Sequence, residues 1–328
     1  IEEITSKLKS FNNILFKKNN LVFLLVLLNV FTFKKILNNQ FIIEYWLINY
    51  NSGFIKRGLF GTLITNLPIN LNTQIMLIKL LLITFYTLIF YFVNKLVINN
   101  KSDLLVIPFL IFSQFFLLNN LFDPLNIGRP EILGYLLILY LVSRDFPTTY
   151  NSVIVLTLFS IAIFTHEVNL FFLPAIIFII YNSHFKLKIL SVAILLFSSV
   201  FFIYSYLNIF DPSEDVINSI CLEIKKYEIR DNICDGAVQW LFEEERNESF
   251  ILKNLSFNIF KPDHYSYFSY IIPILASYYP ILKFGARKNY SFYFINFLLF
   301  IPLFLLAKDW GRWVGMIYFI NLIVSIKF

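Results

Sequence analysis

The stretch RPEILGYLLILYLVSRDFPTTYNSVIVLTLFSIAIFTHEVNLFFLPAIIFIIYNSHFK, residues 129–186, decides the fold. It holds three apolar blocks, 130–143, 149–165 and 168–182, each bounded by charges or turn formers. Blocks of roughly 15 to 20 apolar residues match the length a helix needs to cross a hydrocarbon layer. They lack the strict alternation of a membrane-spanning strand, and lipid leaves helices as the other way to satisfy every backbone amide. Arg144, Asp145 and Pro147 divide the first two blocks, whereas only Thr165, His166 and Glu167 divide the second two. That second break leaves one long helix as the alternative to a hairpin, and the basic residues Arg144 and Lys186 at the two outer ends favour the hairpin.

The same pattern extends outward, with further blocks at 19–37, 75–94, 104–119, 188–207, 264–283, 290–307 and 313–326. The chain is 58% hydrophobic and only 15% charged, which sets it apart from ordinary soluble domains. The expected fold class is therefore all-α: a polytopic transmembrane helical bundle of about ten spans, forming a single domain over 1–328. The first residues are amphipathic and basic, and no small-residue cleavage site follows them, so the first block reads as a retained span. Lys7, Lys9, Lys17 and Lys18 place the N-terminus in the cytoplasm. Strict alternation then puts Lys95 and Lys101, Arg144, Lys186 and Lys188, Lys283 with Arg287 and Lys288, and Lys327 at the C-terminus on the same inner side. Lys34 and Lys35 at an outer end, and Lys79 within a span, run against this register. The net charge of +6 follows the topology, so no nucleic-acid partner is expected. Localisation in a bacterial cytoplasmic (inner) membrane, with lipid as a partner, is the corresponding expectation.

One larger loop, 208–262, is rich in charge and falls outside. It contains both cysteines, Cys221 and Cys234, which an oxidising compartment could join or which could equally stay reduced. Neither has a second Cys or His at short range, so no metal spacing is present.

The chemically loaded residues gather in the outer connections. The first contains Glu44, Trp46 and NSGFIKRGLFG, where Lys56 and Arg57 stand among Gly53, Gly58 and Gly61. Paired cations suit a phosphate, and glycines permit close backbone approach to a ligand. A glycine-bounded turn with interfacial cations is the bland alternative. The second, FDPLNIGRPEILG, offers Asp123 and Arg129, while Pro130 and Glu131 read as ordinary helix N-terminal signals. The third is His166 with Glu167, an imidazole and a carboxylate able to act as base and orienting partner. The last, KDWGRWVG, adds Asp309, Trp310, Arg312 and Trp313. Here an arginine can grip phosphate and an indole can stack on a sugar, although tryptophan favours membrane interfaces in any case.

This layout resembles the multi-spanning glycosyltransferases of GT-C type and the bacterial O-antigen or capsule repeat-unit polymerases. The resemblance rests on the polytopic body, Glu44 in the first outer loop, a large outer loop late in the chain, and Arg129 and Arg312. It implies glycosyl transfer outside the cytoplasm from a polyprenyl-phosphate or polyprenyl-diphosphate sugar, which would be the principal partner. Cations among Lys56, Arg57, Arg129 and Arg312 would meet the phosphate. The base would be one of Glu44, Asp123, His166, Glu167 or Asp309, and Trp310 and Trp313 would stack on sugar. Tyr45 and Trp46 follow Glu44 where such enzymes carry an Asp-x-Asp or Glu-x-Asp pair, so no cofactor is expected, and a divalent metal stays possible with no motif to support it. Membrane O-acyl transfer onto a cell-surface glycan, or flipping of a polyprenyl-linked glycan, are the other two classes these residues allow.

Overall fold

The computed structural model describes residues 30–55, 57–99, 128–143, 149–182, 188–208, 214–228, 234, 238, 289–306 and 310–328. All regular elements among them are helical, and they include no strand, as the apolar blocks predict. In chain order these are α1 (30–38), α2 (Gln40–Leu47), α3 (Gly58–Thr65), α4 (Leu71–Asn99), α5 (Ile132–Ser143) and α6 (Thr149–Thr165). A 3-10 segment, Glu167–Phe172, leads into α7 (Leu173–Asn182), followed by α8 (Lys188–Asn208), α9 (Glu214–Lys225), α10 (Tyr290–Leu306) and α11 (Trp310–Lys327).

The blocks at 75–94, 130–143, 149–165, 188–207, 290–307 and 313–326 each became a helix within a few residues of the expected bounds. Those at 104–119 and 264–283, and most of 19–37, lie outside the described residues, as do Lys56, Asp123 and Asp309. Among the described residues one stretch, Leu71–Leu96, is long and apolar enough to cross a membrane, and the other apolar helices are shorter, so the described residues do not carry a count of ten spans. The single long helix over 149–182 is ruled out. α6 stops at Thr165, and His166 turns to an extended backbone (φ −160°, ψ 124°) whose ring nitrogen accepts from the Val168 amide.

Helix α5 is the axis of the bundle. It is apolar around its circumference and buries Ile132, Leu137, Ile138, Leu139, Leu141 and Val142, the pattern of a helix with neighbours on every side. Those neighbours are α4, α6, α7 and α11. Gly134 makes the closest approach: a Cβ there would collide with the Phe172 ring and the Asn169 side chain. Because α5 is central, whatever precedes its first turn is surrounded by the ends of other helices. That is Arg129, Pro130 and Glu131.

Residues 38–74, expected as an outer loop, contain two short helices, α2 buried and α3 partly so. Trp46 in α2 is 1% exposed and donates to the Gly128 carbonyl at 2.7 Å, while the Gly128 amide donates to the Tyr86 hydroxyl at 2.9 Å. Gly128 adopts φ 76°, a conformation that favours glycine, and α2 and α4 thereby hold the peptide that leads to Arg129. The other glycines in this region answer a packing need. A Cβ on Gly58 would run into the Tyr50 ring and one on Gly61 into the Ile48 carbonyl, so these residues admit α3 to the bundle rather than a ligand to the backbone.

Part of the charged loop lies over this region. Helix α9 buries Ile217, Ile220, Cys221 and Ile224. Ser219 meets Ser52 at 2.7 Å, Asn51 donates to Glu223 at 3.3 Å, and Val216 packs on Gly53. Cys221 and Cys234 are joined in a disulfide with Cα atoms 5.7 Å apart, which settles the alternative that the sequence left open.

Candidate functional site

Five charged or imidazole side chains from four separate stretches meet at the N-terminal end of α5. Arg57 donates through its Nη2 to Glu167 at 2.6 Å, with Nε 3.2 Å from both carboxylate oxygens. Glu167 Oε2 is 3.5 Å from His166 Nδ1. On the other side His166 Nε2 lies 4.0 Å from Glu131 Oε1, and the same oxygen accepts from Arg312 Nη1 at 2.8 Å. The order is therefore cation, carboxylate, imidazole, carboxylate, cation. Arg312 in turn lies 4.1 Å over the Trp313 ring, and Arg129 lies 5.5 Å over that of Tyr45.

Local sequence explains each placement. Arg57 occupies the left-handed region (φ 69°, ψ 12°) at the start of α3, an uncommon conformation for a residue with a Cβ. The turn before it is fixed by Tyr50, whose amide donates to Thr62 and whose hydroxyl donates to the Phe164 carbonyl at 3.0 Å. Glu131 stands just before the first turn of α5, where the helix dipole favours a carboxylate. Asn169 locks the turn against both neighbouring helices. Its amide nitrogen donates to Pro130 O at 3.3 Å and Ala162 O at 2.9 Å, and its oxygen accepts from Gly134 N at 3.1 Å.

Burial sets the electrostatics. His166 is 1% exposed, and burial pushes its imidazole down to about 4 despite the Glu167 and Glu131 carboxylates, with Arg57 and Arg312 opposing the charge as well. The ring is neutral near pH 7. Val168 N–H donates to Nδ1 at 3.2 Å, so Nε2 carries the ring proton and faces Glu131. For Arg57, burial would lower the affinity for a proton, but the Glu167 charge and hydrogen bonds outweigh it and the guanidinium is held above its ordinary value.

The two carboxylates differ in how fully they are used. Arg57 engages both oxygens of Glu167. Glu131, which is 3% exposed, gives Oε1 to Arg312, while its buried Oε2 has no hydrogen-bond partner among the described residues. The same is true of Trp313 Nε1. A buried carboxylate oxygen costs free energy unless something hydrogen-bonds to it, which marks Glu131 as the group with capacity to act on another molecule.

Of the residues anticipated from sequence, Arg57, His166, Glu167, Arg312 and Trp313 come together, and Arg129 is close enough to act electrostatically on Glu131. Glu44 is fully buried on α2, next to the Tyr45 that lies under Arg129. Trp310 belongs to the first turn of α11, and its side chain is outside the described set. One face of Trp313 is taken by Arg312, which leaves less ring for a sugar. Two of the three arginines read as phosphate ligands, Arg57 and Arg312, are already paired with carboxylates. Glu131 was missed, because a carboxylate after proline in a first helical turn has an ordinary explanation. Its position at the mouth of a helix apolar on all sides was the available signal.

Fold and site together define an all-helical bundle with a buried, alternating charge chain at one end of its central helix. No family model matches the chain, and no characterised protein or solved structure is significantly similar to it. Among the described residues no group of three His, Cys, Asp or Glu side chains could share a metal ion.

Proposed function

We propose that this chain is a multi-pass membrane enzyme that transfers a sugar, or a sugar repeat unit, from a polyprenyl-phosphate or polyprenyl-diphosphate carrier on the extracytoplasmic side. The observation that carries the reading is Glu131, a buried carboxylate with one oxygen held by Arg312 and the other without a partner among the described residues. In the reaction an acceptor hydroxyl oxygen attacks the anomeric carbon while the bond from that carbon to the carrier phosphate breaks. The phosphate departs with the electron pair, and the hydroxyl proton passes to Glu131 Oε2. While Arg312 binds Oε1, this carboxylate is a weak base. A donor phosphate that draws the Arg312 guanidinium toward itself makes Glu131 more basic at the moment it is needed. Arg129 and Lys56 are the further cations for the phosphate. Arg57, Glu167 and His166 position the site: Glu167 occupies Arg57, and the neutral His166 keeps its acceptor nitrogen on Val168.

A membrane setting is supported by long apolar faces left open to the surroundings. Met76, Leu80 and Tyr91 on α4, Ile189, Phe197, Val200 and Tyr204 on α8, and Phe294, Ile295 and Phe297 on α10 are all exposed, more apolar surface than water tolerates. Lys79, out of place in the positive-inside pattern, donates to the Leu37 carbonyl at the end of α1 (2.9 Å), which satisfies both groups inside an apolar environment. The Cys221–Cys234 disulfide favours an oxidising compartment for the loop, and because α9 packs on Asn51 and Ser52 it favours an extracytoplasmic site as well.

Replacing Glu131→Gln in cells is expected to abolish glycan extension while the protein stays folded in the membrane. Normal extension in that variant would sink the reading. Single cysteines introduced at positions 129 and 312 test the shared face cleanly, because the described native cysteines are joined. Both should label from outside, and labelling from opposite sides would break the topology.

A further inference from the structure

Two buried atoms of the site that have no hydrogen-bond partner among the described residues are specific about chemistry. Glu131 Oε2 can only accept a hydrogen bond while ionised, and Trp313 Nε1 can only donate one. Both residues touch the same group, the Arg312 guanidinium: Glu131 through the 2.8 Å hydrogen bond, Trp313 through its ring face at 4.1 Å. Each is nearly inaccessible, at 3% and 1% exposure, so whatever completes their bonding is itself taken out of water.

We propose that Glu131 Oε2 and Trp313 Nε1 form the recognition pair for one neutral hydroxyl of the acceptor, and that the acceptor subsite selects uncharged, hydroxylated sugar residues. A hydroxyl oxygen accepts from the indole N–H while its proton goes to the carboxylate, so one small group answers both needs. A carboxylate or phosphate can take the indole hydrogen bond but brings a second anion against Glu131. An ammonium group can bond to Glu131 but has no lone pair for Trp313, and it lies beside Arg312. Charged substituents are therefore excluded at this position by desolvation and like-charge repulsion, the strongest discrimination a buried polar site offers. For what happens to the hydroxyl afterwards, the inference rests on the transfer reading above. For binding itself it stands on the two residues alone.

The test uses the full chain in lipid nanodiscs and three probes with the same ring: methyl glucoside, methyl glucuronide and methyl glucosaminide. Binding is read by saturation-transfer NMR and by tryptophan fluorescence. The neutral glycoside is expected to bind at least about tenfold more tightly than either charged one. Trp313→Phe, which keeps a ring under Arg312 and removes only the N–H, is expected to weaken it about five- to tenfold. Should that variant unfold, Glu131→Gln provides the second arm, since removing the charge is expected to bring the glucuronide to within about threefold of the neutral probe. Equal binding of all three probes, no binding of the neutral one, or an unchanged preference in Glu131→Gln would overturn the proposal. Selective binding alongside undiminished glycan extension in Glu131→Gln cells would instead remove the transfer reading and leave the hydroxyl site in place.

Discussion

The site contains two arginine–glutamate pairs, and they are built differently. Arg57 and Glu167 close on each other through three contacts, with side chains 12% and 23% exposed. Arg312 and Glu131 meet through one contact, with the carboxylate only 4% exposed and its second oxygen unused among the described residues. A saturated pair can do nothing further without breaking, whereas a half-used pair in a buried setting has an atom to offer. The first pair fastens α3 to the turn after α6. The second leaves a carboxylate oxygen without a partner among the described residues at the end of α5.

Removing one member of the buried pair should have the largest energetic consequence. Arg312→Met leaves Glu131 buried with its charge uncompensated and is expected to cost about 3–5 kcal/mol, measured as a fall in the unfolding midpoint. The double variant Arg312→Met with Glu131→Leu should recover most of that stability while transfer stays absent. Failure to recover would mean that the pair fastens the fold as the first one does.

The disulfide tests the setting of the first pair from outside. Cys221 and Cys234 close a short loop that holds α9 over Asn51 and Ser52, on the segment leading to Arg57. Cys221→Ser is expected to lower stability by about 3 kcal/mol, read in a denaturant titration against the reduced wild type, which should shift by the same amount.

Between the two pairs stands His166, and it makes stability depend on pH. Unfolded, it takes up a proton near its ordinary 6.5; folded, only near 4. The unfolded chain thus holds more protons across that window, so stability is complete above about pH 6.5 and is lost as pH falls toward 4. The drop should amount to no more than about 3 kcal/mol, and His166→Asn, which retains an acceptor for Val168 N–H, should flatten it. An equally steep drop in that variant would assign the effect to the carboxylates.

The smallest effect concerns Arg57 itself. Its left-handed backbone suits glycine, so Arg57→Gly should be more stable than Arg57→Ala by about 1 kcal/mol although both lose the ion pair. Thermal midpoints of the two variants decide it.

What the sequence disclosed follows from how far each interaction reaches. The helices over 149–165, 188–207 and 290–307 were legible because apolar periodicity and block length are local properties. Helices α2 and α3 were not: each is 8 residues long, and Gly58 and Gly61 look the same in sequence whether they admit a ligand or the Tyr50 ring. His166, Glu167, Arg57 and Arg312 stood out as costly charges among apolar neighbours. Which residues pair did not, nor did Glu131 itself, since the two pairs join residues 110 and 181 positions apart, and only the packing around α5 brings those together.

On the proposed reading the half-used pair works and the saturated one only holds. Turnover of a polyprenyl-phosphate sugar by the purified chain in nanodiscs, compared between Glu131→Gln and Glu167→Gln at equal folded protein, tests it most directly. Turnover is expected to fall at least about 100-fold in Glu131→Gln and less than about tenfold in Glu167→Gln. The reverse order, turnover in Glu131→Gln within twofold of the wild type, or no turnover by the wild type itself, would contradict it.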